Sequence, residues 1–196
     1  MTGTTPTFDF HRMNIPGVVA GVLTLILPFL GAWWSLTLGT DAMVVTTSPF
    51  EAKTIIFGNY IASPLFEWFC LGLKLGIMYM GVLLIAGSVL PAMNRNEDIA
   101  KVFINFASRK LLWLVLIFVV ALVIFVLLLN QTSSVLPVQI DIPFPYLVWT
   151  KSLSADMGGM GIVVPICAKF TYAFGVAVIA AVAGAYSRIY HEKLQL

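Results

Sequence analysis

The chain has 196 residues, of which 60% are hydrophobic, and it carries 11 Lys+Arg and 9 Asp+Glu. Charged residues make up 10% of the chain, whereas a soluble domain usually contains roughly 25%. So few charges cannot cover a water-facing surface, which argues against a soluble enzyme, a nucleic-acid-binding protein and a disordered chain. The composition therefore predicts one integral membrane domain over residues 1–196, with no nucleic-acid partner.

Four apolar segments predict transmembrane helices, which lie at about 16–34, 64–90, 111–129 and 161–186. Asn14 is placed to cap the first of them, and Pro28 predicts a bend near its end. About 20 apolar residues suffice to span a bilayer core of ~30 Å. Because these segments do not alternate in hydropathy, helices are favoured over a membrane β-barrel. The predicted fold class is therefore an all-α integral membrane protein with a four-transmembrane-helix bundle.

Lys and Arg are unequally distributed between the two sides of this predicted bundle. One side holds both termini and the loop at about 91–110, with Arg12, Arg95, Lys101, Arg109, Lys110, Arg188 and Lys193. The other side holds the longer loops at about 35–63 and 130–160, with Lys53 and Lys151. Because cytoplasmic loops carry an excess of Lys and Arg, we expect both termini in the cytoplasm and the protein in the cell membrane.

The predicted cytoplasmic loop has a helical pattern of its own. Its apolar residues recur at i, i+3, i+4 and i+7, as Ile99, Val102, Phe103 and Phe106. Two interpretations stay open, which are a short helix in the headgroup layer and an extension of the third transmembrane helix. The basic residues of this loop are interpreted as setting the topology rather than recognising a particular lipid.

Both outward loops are rich in β-branched and aromatic residues, with turn residues between them. The candidate strands are Trp34–Leu38, Met43–Thr47, Thr54–Phe57, Val135–Ile142 and Tyr146–Thr150. Three or more strands can support one another. The sequence therefore predicts a small antiparallel β-sheet formed by the two extracytoplasmic loops.

Gly31-Ala32-Trp33-Trp34 stands where the first predicted helix passes into the first predicted strand. With this tryptophan pair, the layout resembles the claudin-like four-helix (tetraspan) membrane proteins, which share a β-sheet between two outer loops. The resemblance implies the architecture only. The paired loop cysteines of that family are absent, because Cys70 and Cys167 both fall in predicted helices. The alternative interpretation of Trp33 and Trp34 is that of anchors at the membrane interface.

Glu67, Lys74 and Lys169 lie in or at the rim of the predicted membrane spans. A charge at such a position needs a partner, a water-filled cavity or a route to the interface. The functional hypothesis is a polar cluster in the outer leaflet, serving as an anion or proton site or as a contact with another subunit. The alternative is that both lysines extend to the headgroup region while Glu67 lies at the interface.

Small residues at four-residue spacing predict faces on which helices pack closely. These candidate packing residues are Gly72, Gly76, Ala177, Ala181 and Gly184. His11 and His191 are expected at the cytoplasmic edge, too shallow for an intramembrane haem. The sequence contains no Gly-rich phosphate loop and no Ser/His/Asp set, so no catalytic, cofactor-binding or metal-binding residue and no cofactor is predicted.

These features predict a non-enzymatic protein that is an accessory or structural subunit of a membrane assembly. Its expected partners are membrane lipid and either other membrane subunits or further copies of itself. The alternative hypothesis is an oligomeric channel or a small-solute or ion transporter that uses the polar cluster.

Overall fold

The structure is a computed structural model that describes residues 9–61, 63–93, 96–133, 147–157 and 160–194. The helices are α1 (Ile15–Ile26), α2 (Pro64–Val89), α3 (Glu97–Ser133) and α4 (Tyr172–Leu194). The strands are β1 (Trp34–Leu38), β2 (Met43–Ser48), β3 (Glu51–Ile56), β4 (Asn59–Ile61), β5 (Trp149–Met157) and β6 (Met160–Phe170). Single 3₁₀ turns lie at Phe10–Arg12, Leu27–Phe29 and Leu90–Met93.

The chain divides into two compact units. The helical unit consists of Met1–Leu30, Gly72–Val115 and Gly175–Leu196, and the sheet unit consists of Gly31–Leu71 and Leu116–Phe174. The long helices α2 and α3 each contribute residues to both units, while the whole of α1 belongs to the helical unit and all six strands belong to the sheet unit.

The first helix is shorter than predicted. α1 begins after Asn14, whose Oδ1 accepts a hydrogen bond from Gly17 N at 3.1 Å. It ends at Ile26, and the next turn is a 3₁₀ helix that contains Pro28. Gly31 then has φ +85°, a conformation that glycine adopts without steric cost and that turns the chain out of the helix. The expectation of a helix that continues to residue 34 is therefore wrong.

The second and third helices follow the hydropathy pattern closely. α2 begins at Pro64 and ends within one residue of the predicted end. α3 contains neither Pro nor Gly, so nothing interrupts its backbone hydrogen bonds from Glu97 to Ser133. The amphipathic segment at 96–110 is thus an extension of the third helix and not a separate helix. With 37 residues, α3 is about 55 Å long at 1.5 Å per residue.

The fourth helix begins at Tyr172, eleven residues after the predicted start. The preceding residues form β6, so the prediction of a helix from residue 161 is wrong. The run Ile162-Val163-Val164 is β-branched and favours a strand. Pro165 follows it, and proline in a helix interior removes a hydrogen bond and costs about 3 kcal/mol or more. Hydropathy alone does not distinguish a short apolar strand from a helical segment.

The predicted antiparallel sheet is present and has six strands in the order β4-β3-β2-β1-β6-β5. The segment between α1 and α2 supplies β1 to β4, and the segment between α3 and α4 supplies β5 and β6. β1 joins the two sets, because Leu36 is paired with Val45 of β2 on one side and with Ala168 of β6 on the other.

The individual strands agree with the sequence pattern in part. The predicted strands at Trp34–Leu38 and Met43–Thr47 are confirmed by β1 and β2. β3 begins earlier than predicted, at Glu51, and β4 was not predicted. The predicted strand at Val135–Ile142 lies outside the described residues.

Close backbone contacts hold the helical unit together. α1 buries a face of small residues, which are Gly17, Ala20, Gly21 and Thr24. A Cβ added to Gly21 would lie 2.9 Å from Gly81 O, and one added to Gly81 would lie 3.0 Å from Gly21 O. The backbones of α1 and α2 therefore touch at this pair, which only glycine permits.

In the described part of the chain, three helices are long and apolar enough to cross a membrane, over Pro64–Met93, Glu97–Leu128 and Tyr172–Lys193. The helical segment Ile15–Phe29 is also apolar but is shorter. At 1.5 Å per residue these 15 residues extend about 22 Å.

Gly21→Ala is expected to destabilise the helical unit, because the added methyl group would lie 2.6 Å from Ile85 Cγ1 and 2.9 Å from Gly81 O. Overpacking of this kind costs about 1–3 kcal/mol. Gly175→Ala on α4 is the control, because no described atom lies within 4 Å of the added Cβ. There, the better helix propensity of Ala favours folding by up to about 1 kcal/mol. Thermal unfolding in detergent measures the stability of both variants. Equal melting temperatures for Gly21→Ala and Gly175→Ala would contradict the close approach of α1 and α2.

Candidate functional site

A buried polar network joins three helices at one end of the helical unit. Asn14 Nδ2 donates to Ser187 O at 2.8 Å and to Ser187 Oγ at 3.1 Å, which connects the start of α1 to α4. Asn14 N donates to Ser88 O at 3.1 Å, near the end of α2. All three residues are fully buried. Because the amide oxygen also caps α1, the side chain of Asn14 fixes the start of α1 and its contact with α4, while the backbone N of the same residue makes the contact with α2.

Gly17 provides the space that this network occupies. A Cβ at this position would overlap Ser88 Oγ and would lie 2.7 Å from Ser187 Oγ. Ser88 Oγ in turn donates to Leu84 O at 2.6 Å, so its hydroxyl is satisfied within α2. The sequence pattern predicts Asn14 as a cap, but it does not predict the bonds to the two serines.

Charged and polar contacts surround the network at the same end of the helical unit. Arg12 Nη1 lies 3.6 Å from Glu97 Oε1 at the start of α3. Asp9 N donates to Ala92 O at 2.9 Å, in the connection between α2 and α3. His191 lies one turn after Ser187 on α4 and is 2% exposed, while the side chain of His11 lies outside the described part of the chain. The N-terminal residues, the α2–α3 connection and the end of α4 therefore meet at one end of the helical unit.

Trp33 and Trp34 lie in the core of the sheet unit. They are 0% and 1% exposed, which contradicts their interpretation as interfacial anchors. Trp33 makes edge-on contacts with Phe50, Phe118 and Phe174, with ring centroids 5.1–6.0 Å apart. Trp34 is the first residue of β1, and its Nε1 donates to Leu147 O at 2.9 Å. The pair thus anchors the start of the sheet by burial and one hydrogen bond.

The predicted polar cluster does not take the form that the sequence suggested. Lys169 is an exposed residue of β6, paired with Ser35 of β1, so its assignment to the fourth helix is wrong. Cys167 is likewise a residue of β6 and not of a helix. Lys74 is a half-buried residue of α2. A pairing of Glu67 with Lys74 stays a prediction.

Glu67 has a partner within the sheet unit. Its Oε1 accepts a hydrogen bond from Tyr60 Oη at 3.2 Å. Partial desolvation and then this hydrogen bond raise the pKa of Tyr60. On the neighbouring strand, Glu51 raises the pKa of Lys53 through a hydrogen bond and its negative charge, with a smaller opposing effect of burial.

The candidate packing residues fall into two groups. Ala177, Ala181 and Gly184 are buried residues of α4. A Cβ on Gly184 would lie 3.6 Å from Ser108 Cβ, an ordinary contact with α3. By contrast, a Cβ on Gly72 or Gly76 would meet no described atom within 4 Å.

Gly72 and Gly76 belong to an exposed face of α2. With Leu75 and Tyr79 they follow the spacing i, i+3, i+4 and i+7, so all four lie on one side of the helix. Leu75 is 62% exposed and Tyr79 is 58% exposed. We refer to these four residues as the open α2 face. It combines two glycines, which admit a close backbone approach, with two large side chains that flank them.

No three His, Cys, Asp or Glu side chains in the described part of the chain come close enough to hold a metal ion. No family model matches the chain, and a search of curated proteins finds no match.

Asn14→Ala is expected to lower the free energy of unfolding by on the order of 2–4 kcal/mol. The loss of the cap costs about 1 kcal/mol, and a buried partner left without its hydrogen bond costs about 1–3 kcal/mol. Asn14→Ser separates the two effects, because it keeps a capping oxygen but is too short to reach Ser187. We expect Asn14→Ser to be intermediate in thermal or chemical unfolding. Wild-type stability in both variants would contradict the role of the network.

Tyr60 is expected to titrate above its ordinary value of 10.0. A pKa that is raised in the folded protein means that protonated Tyr60 stabilises the fold. This contribution to the free energy of unfolding is present below pH 10 and is lost as the pH rises through the folded pKa. Glu67→Gln removes the negative acceptor and should lower the pKa of Tyr60. The difference in tyrosinate absorbance between each protein and its Tyr60→Phe counterpart isolates this tyrosine among the six. An identical pKa with Glu67 and with Gln would contradict the hydrogen bond.

Proposed function

We propose that this chain is an integral membrane protein without enzymatic activity, and that it acts as a structural or accessory subunit by associating with a second copy of itself through the open α2 face. Three helices of sufficient length and hydropathy support the membrane location. The small share of charged residues, 10% of the chain, supports it independently.

The contacts of Asn14 support a fourth crossing by α1. Three crossings would leave the two termini on opposite sides of a bilayer. The hydrogen bond from Asn14 to Ser187 joins the start of α1 to the last turns of α4, so both ends of the chain lie at one end of the helical unit. An even number of crossings satisfies this contact. The segment Ile15–Phe29 is short for a bilayer core of ~30 Å, and local thinning of the bilayer accommodates such a mismatch.

The charges support a cytoplasmic location for the end of the helical unit that carries the termini. The residues at or near this end include Arg12, Lys101, Arg109, Lys110, Arg188 and Lys193. Cytoplasmic segments carry an excess of Lys and Arg. The α1–α2 and α3–α4 connections, which supply the strands, are then extracytoplasmic. This arrangement is the one that the resemblance to claudin-like tetraspan proteins implies.

The open α2 face carries the proposal of self-association. In lipid, helices associate through van der Waals packing, and a pair of glycines four residues apart lets two backbones approach closely. The chain's own close contacts use other glycines of α1 and α2, including Gly17, Gly21 and Gly81. Two copies related by a two-fold axis would present this same face to each other, so that the glycines of one copy meet the glycines of the other.

The transporter hypothesis has less support. It required Lys169 to project from the fourth helix into the membrane, whereas Lys169 is an exposed residue of β6.

Gly72→Leu/Gly76→Leu is expected to abolish self-association while leaving the fold intact, because both positions face open space. Wild type and variant, carrying donor or acceptor fluorophores on a C-terminal tag, are reconstituted into liposomes and compared by energy transfer at several protein-to-lipid ratios. Gly175→Leu is the matched control, since it places the same side chain on an equally open glycine of α4.

Energy transfer above that of random mixing is expected for the wild type and for Gly175→Leu but not for the double variant. The melting temperature in detergent should be unchanged in all three proteins. A wild type without specific transfer, or a double variant with undiminished transfer, would contradict assembly through this face.

A further inference from the structure

One face of α3 carries a groove of about 460 Å³ within the helical unit. It is lined by Val102, Asn105, Phe106, Arg109, Lys110 and Trp113. These residues follow the spacing i, i+3, i+4, i+7, i+8 and i+11, which places them on one side of the helix. The groove lies on a different helix from the open α2 face.

Two positive charges face this groove. Arg109 and Lys110 are both exposed, and among the described residues no carboxylate lies within 4.0 Å of either cation. Lys110 Nζ lies 5.8 Å from the centre of the Phe106 ring, a cation–π contact that holds the ammonium group over the groove. The groove therefore concentrates positive charge that the described chain does not neutralise.

Asn105 adds a hydrogen-bond donor with a defined orientation. Its Oδ1 accepts from Arg188 Nε at 2.8 Å, so the acceptor end of the amide is occupied by α4. The Nδ2 group is therefore the end of the amide that can donate a hydrogen bond into the groove. An amide donor beside a guanidinium and an ammonium group suits the oxygens of a phosphate.

The groove lies where α3 changes from a charged to an apolar sequence. Arg109 and Lys110 directly precede the apolar run 111–129. Trp113 is 58% exposed, and tryptophan is enriched at the headgroup level of membranes. In the proposed orientation, the two cations lie at the depth of the lipid phosphates in the cytoplasmic leaflet.

We propose that this groove binds the headgroup of an anionic glycerophospholipid. Arg109 and Lys110 bind the phosphate oxygens, Asn105 Nδ2 donates to the headgroup, and Trp113 packs against the first part of an acyl chain. None of the lining residues is acidic. The ammonium group of a zwitterionic lipid would therefore find no partner there, and the two cations would repel it. Lipid binding gives these basic residues a role beyond setting the topology. This proposal rests on the proposed placement of the protein in a membrane.

The test measures lipid binding to the purified full-length protein by native mass spectrometry, with phosphatidylglycerol and phosphatidylcholine added in equal amounts. Arg109→Gln/Lys110→Gln removes the charges of the groove. Lys101→Gln/Lys193→Gln removes two exposed charges of the same helical unit that do not line the groove, so both variants have the same net charge. A parallel sample contains millimolar inorganic phosphate.

The wild type is expected to retain phosphatidylglycerol in preference to phosphatidylcholine. The groove variant should lose on the order of thirtyfold in affinity for phosphatidylglycerol, because two basic residues that each contribute about 1 kcal/mol near an anionic lipid surface together contribute about 2 kcal/mol, and about 1.4 kcal/mol is tenfold in affinity. The control variant should bind within about twofold of the wild type. Equal losses in both variants, or no preference between the lipids, would overturn the proposal. Displacement of the lipid by inorganic phosphate would assign the site to the free anion instead.

Two further measurements separate this proposal from the one on which it rests. Release of the protein from liposomes by alkaline carbonate would contradict the membrane placement itself. Retention in the bilayer without lipid preference would contradict the groove alone. The Gly72→Leu/Gly76→Leu protein should bind phosphatidylglycerol as the wild type does, so failure of self-association would leave the lipid site intact.

Discussion

The buried amide of Asn14 is the interaction on which the arrangement of the helical unit depends. α1 has only 12 residues, whereas about 20 are needed to span a bilayer core. It is held by glycine contacts along α2 and by the hydrogen bonds of Asn14, the residue that caps its start. Those bonds are directional and completely buried, and a shift of α1 by one residue would leave polar groups of α2 and α4 unsatisfied. The network therefore sets the register of three helices, a role well attested for buried polar residues.

Much of the fold could be predicted because its signals are local. The limits of α2 and the continuity of α3 follow from hydropathy and from the absence of Pro and Gly in α3. The strands β1 and β2 follow from β-branched residues bounded by turn residues. Hydropathy alone gives the wrong element where backbone chemistry decides the conformation. Pro28 and Gly31 end α1, and Pro165 within a β-branched run marks β6, so the residues needed for the correct assignment were present in the sequence.

The candidate site could be predicted only where it depends on near neighbours. Asn14 was predicted as a cap because its acceptor role involves Gly17, three residues away. Its partner Ser187 is 173 residues away, and no local pattern encodes that contact. The same limit applies to the glycines. Spacing alone gives Gly72 and Gly76 a stronger signal than Gly21 and Gly81, yet the latter pair holds α1 against α2, while the former faces open space.

The central position of β1 has a consequence for the order in which the protein is made. Strands β1 to β4 are adjacent in sequence and can form a meander before the rest of the chain is complete. The edge of β1 that faces away from β2 then remains unpaired while residues 62–159 are synthesised, because its partner β6 begins at Met160. An unpaired edge is a template for pairing with another chain, and long-range pairing of this kind is intrinsically slow. The sheet is therefore completed only when the β5–β6 hairpin follows the four earlier strands.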